Sequence, residues 1–132
     1  MGQQQLLLIV LGVIIVGIAV VVGINVFTAS SVQANIDGVT SDLVNLGSMA
    51  QQFYRKPVAL GGGGNSFTPT SGNWSLPANL DTTGNGFYAV TSIAQGQIVI
   101  TGTGNEDGAN GNPITVTATI TPQNITTAIT NQ

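Results

Sequence analysis

No charged side chain precedes Asp37, and the run from Leu6 to Phe27 is almost wholly aliphatic, broken only by Gly12, Gly17, Gly23, Ala19 and Asn25. Those 22 residues make a helix of about 33 Å, and a bilayer-spanning helix needs about 20 apolar residues. A helix apolar all round cannot be wrapped by the short, polar remainder of this chain. It must find its apolar surroundings elsewhere. The rival reading is a secretory signal peptide, with Thr28-Ala29-Ser30-Ser31 as the cleavage-like stretch. Signal peptides have a shorter apolar region, about 7–15 residues, and a basic segment before it. Here neither Lys nor Arg precedes the run.

Amphipathic periodicity follows without a break. Ala29, Val32, Ile36, Val39, Leu43, Leu46, Ala50 and Phe53 recur every three or four residues, which is one stripe of a helix. Gln33, Asn35, Asp37, Thr40, Ser41, Asp42, Asn45 and Gln51 fall to the other side and are read as its solvent face. One helix is therefore expected from Gln3 to Tyr54, about 78 Å long. Pro57 stops it, with Arg55 and Lys56 at the negative end of the dipole.

Beyond this point the chain changes character. Gly61–Asn65 opens a Gly- and Pro-punctuated segment reaching Asn85, for which Trp74 and Leu76 are the expected anchors. Strands are expected at Phe87–Ile93 and Gln97–Thr101, with a turn at Gln95-Gly96. Gly102–Asn112 reads as a turn-rich loop. Ile114, Val116, Ala118 and Ile120 then alternate with threonines, a half-buried strand, and Ile125, Thr127 and Ile129 suggest a short last one. The predicted fold is α+β: a long apolar helix, continued as an amphipathic helix packed on a small antiparallel sheet. Its parts are 1–28 (membrane or core helix), 29–54 (amphipathic helix), 55–85 (connecting loop) and 86–132 (sheet). Val32, Ile36, Val39, Leu43, Leu46 and Phe53 should form the helix–sheet core.

Composition excludes several functions. The chain has 132 residues, 5% of them charged, and a formal net charge of −3. Arg55 and Lys56 are its only cations, so nucleic-acid binding by phosphate neutralisation has no footing. Without Cys or His there is no thiol chemistry, no disulfide and none of the usual zinc or haem ligands, and no cofactor is expected. The commonest acid–base residue of catalysis is missing too. Glu106 and Asp107 are adjacent, whereas a glycosidase pair faces across a cleft of about 5–9.5 Å. An enzyme is not expected.

In layout the whole chain resembles a type IV pilin or a relative among the pseudopilins and archaeal-type pilins. Asn85-Gly86-Phe87-Tyr88, Ile98–Gly102 and Ile114–Ile120 are similar to the sheets of bacterial pilins. The resemblance implies a subunit held in the inner membrane, handed to a pilus assembly machinery and built into a helical homo-polymer on the cell surface. Gln5, Leu6, Leu7, Leu8, Ile9, Leu11, Ile14, Ile15, Ile18 and Val22 would line the filament core. Pilin precursors are cut after a glycine just before the apolar helix. Gly2 fits that glycine and Gln3 the first mature residue. The family's glutamate, four residues past the cut, is replaced by Leu7; counted from Met1, Gln5 takes its place. A basic leader and a helix proline, both usual in the family, are absent from these residues. An N-terminal amine buried without that carboxylate costs several kcal/mol. Solvation by Gln3, Gln4 and Gln5, or cyclisation of an exposed Gln3 to uncharged pyroglutamate, would remove the cost.

Other motifs have plainer explanations beside the functional ones. Gly12, Gly17 and Gly23 permit close helix approach, but their spacings of five and six form no small-xxx-small pair. Asn25 offers a hydrogen bond in a bundle, or simply marks the lipid–water boundary. Asn105–Asn112 supplies oxygens suited to calcium but lacks ordered ligand spacing, and reads as a polar hairpin loop. Asn73-Trp74-Ser75 and Asn124-Ile125-Thr126 are glycosylation sequons, Asn73 and Asn124 being the acceptors. A non-polymerising, membrane-anchored binding domain, adhesin-like or a secretion pseudopilin, is the alternative function. Such anchors usually have flanking cations and a flexible linker. Neither stands beside this apolar run.

Overall fold

A helix stop, a chain reversal and a five-strand meander account for the architecture after residue 31. The structure, a computed structural model, describes residues 2–131. Met1, the residue ahead of the candidate processing site, and Gln132 lie outside the described residues. The chain divides into two units, 1–31 and 32–132. One helix, α1, is assigned over Gly2–Arg55, as the proline-free pattern requires.

The helix ends through its own continuation. Lys56 N shares the carbonyls of Gln52 (3.0 Å) and Phe53 (3.3 Å), and Pro57 begins a single 3₁₀ turn over Val58–Leu60. The glycine run then folds back onto the helix end. Gly63 N donates to Phe53 O (2.7 Å), Gly64 N to Lys56 O (2.9 Å) and Asn65 N to Tyr54 O (2.7 Å). These bonds satisfy carbonyls that a helix terminus otherwise leaves without partners. A Cβ on Gly63 would lie 1.9 Å from Ser66 O, so no larger residue fits the reversal. A segment that reads as a loop is thus the helix cap.

The sheet is a meander in the order β1 (Thr82–Thr83), β2 (Gly86–Ala94), β3 (Gln97–Asp107), β4 (Pro113–Ile120) and β5 (Ile125–Asn131), every pair antiparallel. Period-2 alternation decides its faces. In β4, Ile114, Val116, Ala118 and Ile120 are buried while Thr115, Thr117 and Thr119 are half-buried on the other face. Ile98–Ile120–Ile125 and Ile100–Ala118–Thr127 line up across the strands. Against this face lie Ile36, Val39, Leu43, Leu46 and Ala50 of α1, joined by Phe67, Trp74 and Tyr88 in one core.

Two expectations need correction. Gly102–Asn112 is not a loop: β3 continues to Asp107, and only Gly108–Asn112 turns. Gly102 and Gly104, which look like loop residues, are core residues, placed where the helix leaves no room for a side chain. A Cβ on Gly104 would sit 2.1 Å from Asn35 Oδ1 and 2.4 Å from Ile114 Cγ1. The expected irregular segment also contains β1 and the 3₁₀ turn.

Candidate functional site

Two surfaces carry the chemistry, one in each unit. In the first, seventeen large apolar side chains between Leu6 and Phe27 are exposed, from 52% at Leu11 to 73% at Phe27. They surround the helix on all sides. The sequence-predicted core-lining residues Leu6, Leu7, Leu8, Ile9, Leu11, Ile14, Ile15, Ile18 and Val22 are among them, and Gln5, Gly2 and Gln3 are exposed beside them. Covering one such side chain is worth about 1.5–3 kcal/mol, so the set amounts to tens of kcal/mol of unmet burial. A Cβ placed at Gly12, Gly17 or Gly23 meets nothing within 4 Å. Thr28 Oγ1 donates to Ile24 O (3.0 Å), the usual way a hydroxyl is satisfied in an apolar helix. This helix is long and apolar enough to cross a membrane, and it is compatible with membrane anchoring.

The second surface is the joint between the 32–55 part of α1 and the sheet. Of the predicted joint residues, Ile36, Val39, Leu43 and Leu46 are buried, while Val32 and Phe53 are half-buried and packed at the periphery. Phe67, fully buried, holds the place expected of Phe53, and Tyr54 stacks on it at 4.9 Å between ring centroids. Sequence reasoning missed Phe67 because Ser, Thr, Pro and Gly surround it and hide any period. Trp74 is buried as expected, and Leu76 packs beside the core.

The flanks of the stripe are polar and engaged. Asp42, expected in solvent, instead faces the β1–β2 turn. It lies three residues after Val39 and four before Leu46, at the margin of the buried stripe. Its Oδ2 accepts from Thr83 Oγ1 (2.8 Å), Asn85 Nδ2 (3.0 Å) and the Tyr88 hydroxyl (2.5 Å). Asn35, two turns earlier, donates to Asn85 O (2.8 Å) and accepts from Glu106 N (3.1 Å). At the other end Gln51 Nε2 donates to Thr121 O (2.9 Å) and Arg55 Nη2 to Pro122 O (2.9 Å). Asn35, Asp42 and Gln51 are therefore not solvent-face residues; they bind the sheet's turns to the helix.

Partial burial pushes the Asp42 carboxyl up, but the hydrogen bonds from Tyr88, Asn85 and Thr83 outweigh it and hold it below the ordinary aspartate value. Burial, together with the bond to Asp42, drives the Tyr88 hydroxyl well above its usual range. This arrangement keeps Asp42 charged and Tyr88 protonated, with their bond intact. It suits a fastening rather than a proton shuttle.

The remaining candidates are dispersed. Asn73 and Asn124 are exposed, Asn73 beside buried Trp74 and Asn124 in the β4–β5 turn. In the 108–112 loop, Asn110 Oδ1 accepts from Asn112 N and its Nδ2 donates to Asn131 Oδ1. Its oxygens thus serve the turn, and among the described residues no group of three or more acidic side chains gathers to hold a metal. Comparisons with family models, curated proteins and solved structures gave no match.

Proposed function

We propose that this chain is the structural subunit of an extracellular filament of the type IV pilus kind, without enzymatic activity. The observation that carries the reading is the apolar surface of residues 6–27, exposed on every side. A surface of that extent demands an apolar partner. A bilayer satisfies it before assembly. Helices of other copies satisfy it afterwards, with the sheets left outside as the wet, Thr-rich surface of the polymer. The layout shared with pilins supports the same conclusion. The inner membrane and a pilus assembly machinery are the partners this role requires.

Electron microscopy of material sheared from cells expressing the chain tests the proposal. Thin filaments that mass spectrometry identifies as this chain are the expected result. A chain found only in membrane fractions, with no filament, would establish the anchored binding domain instead. Intact-mass analysis of the filaments would read the N-terminus. Cleavage after Gly2 with loss of ammonia from Gln3 is one expected outcome, and a free amine dependent on Gln5 the other.

A further inference from the structure

The sheet ends in two unlike edges. On the β2 side the chain covers both ends of the edge, and a bulge at Thr91 interrupts the stretch between them. β1 pairs with Gly86 and Phe87, Tyr88 N donates to Asp81 O (2.8 Å) and Phe67 N to Gln95 O (3.0 Å). On the other side, among the described residues, β5 pairs with β4 alone and is the last strand in the order. The bond from Thr121 N to Asn124 O (2.8 Å) sets the alternation. Continued along the register, Thr119–Thr126 and Thr117–Ala128 are the hydrogen-bonded pairs. Ile125, Thr127 and Ile129 consequently point their backbone N–H and C=O groups away from β4.

Natural edges of this kind are blunted with Lys, Pro, inward charges or a bulge. Ile125–Asn131 contains no charge and no proline. Its one irregularity, the extra residue Thr130, lies beyond Ile129. Ile129 is 46% exposed although it stands on the core side of the sheet, opposite buried Val116.

We propose that this edge pairs antiparallel with the same edge of a second copy, about a two-fold axis at Thr127. The sequence of the strand selects that occupant and register. On the core side Ile125 then meets Ile129 of the second copy, twice by symmetry, and Thr127 meets its own mate. On the outer side Thr126 meets Ala128 of the second copy. The adjacent hydrogen-bonded registers place Ile129 opposite Thr127 or Gln123 and lose the apolar match. Three hydrogen-bonded pairs form, at two bonds each. No like charges oppose one another.

The contact is isologous, so residues 32–55 of the two copies run in opposite directions. Neighbours within one filament, all of one polarity, cannot be so related. The consequence, which rests on the filament reading, is that β5 joins separate filaments side by side with opposite polarity. There, many weak pairings add along the length.

The test uses the full-length chain, which has no native cysteine, in detergent micelles. Thr126→Cys and Ala128→Cys variants are purified, shown to melt like the parent, and oxidised mildly, separately and mixed. In the proposed register these two positions face each other at about 4.5 Å between Cα atoms, within disulfide reach. The mixture should give a disulfide dimer that neither variant gives alone, and adding Ile129→Lys to both should abolish it. No dimer from the mixture, or an equal yield from Thr91→Cys at the bulge of the opposite edge, overturns the pairing. Bundling is scored separately by microscopy: Ile129→Lys should give dispersed filaments, and bundles that persist overturn the lateral role. Absence of filaments from the parent chain would count against the filament reading alone, since the crosslink is read in micelles.

Discussion

Residues 6–27 and residues 32–53 belong to one assigned helix, yet they bury their apolar side chains in opposite ways. In the second stretch Val39 and Leu43 are fully buried and the opposite face is mostly polar, Val44 being its one exposed large apolar residue. In the first, every large aliphatic side chain is at least half exposed. The difference is one of pattern before it is one of structure. A single stripe can be served by one sheet, whereas apolar residues at every helical position cannot be served by any one neighbour. The second stretch encodes a fold, and the first encodes an environment that this chain does not supply.

The strongest way to break that comparison is to remove one side of it. Deleting residues 1–28 should leave a soluble domain, monomeric by sedimentation at dilutions where the weak β5 pairing is not populated, with the cooperative melt of the domain retained. Filaments or membrane association persisting after the deletion would show that the apolar helix is not the assembly surface.

Single substitutions sharpen it next. Phe67→Ala should lower stability by about 3–5 kcal/mol and Leu43→Ala by about 2–5 kcal/mol, as for truncations of fully buried residues. Ile15→Ala in the detergent-solubilised chain should leave the domain's melting unchanged, because residue 15 buries nothing there. Equal losses at Leu43 and Ile15 would erase the distinction between the two stretches. Phe53→Ala falls between them. Its ring is only half-buried, so denaturant unfolding should show a loss of about 1–2 kcal/mol.

Most of the fold was legible because its signals are local and periodic. The helix, its stop before Pro57, the 3–4 spacing of its buried stripe and the Ile/Thr alternation of β4 all follow from residue order alone. Three features were hidden, each for a physical reason. Gly102 and Gly104 read as a loop because a sequence does not reveal that a helix side chain fills the space above a strand. Phe67 stands alone among turn residues, and its burial depends on a chain reversal set by glycine capping. Asp42 looks like a solvent residue because its three donors are 41, 43 and 46 positions away. The exposed apolar run of residues 6–27 was legible for the opposite reason: it consists of a composition rather than a contact.

The Asp42 fastening gives the smallest expected effect, and its sign is fixed. The carboxyl lies below its ordinary value when folded, so its contribution is complete above the unfolded value, near pH 4. It is lost as pH falls through the lower folded value. Protonation removes the charge that Thr83, Asn85 and the Tyr88 hydroxyl donate to. Asp42→Asn keeps the size but discards that charge, and it should cost about 1 kcal/mol at pH 7. Because the variant has already lost the contribution, the gap between it and the parent should narrow below pH 4. Residues 2–31 contain no acidic or basic side chain, so the acid response of the described side chains must arise after residue 31. Thermal melts of both proteins at pH 7 and pH 3 measure it. A gap that stayed constant across that range would mean the Asp42 bonds depend on shape alone and not on charge.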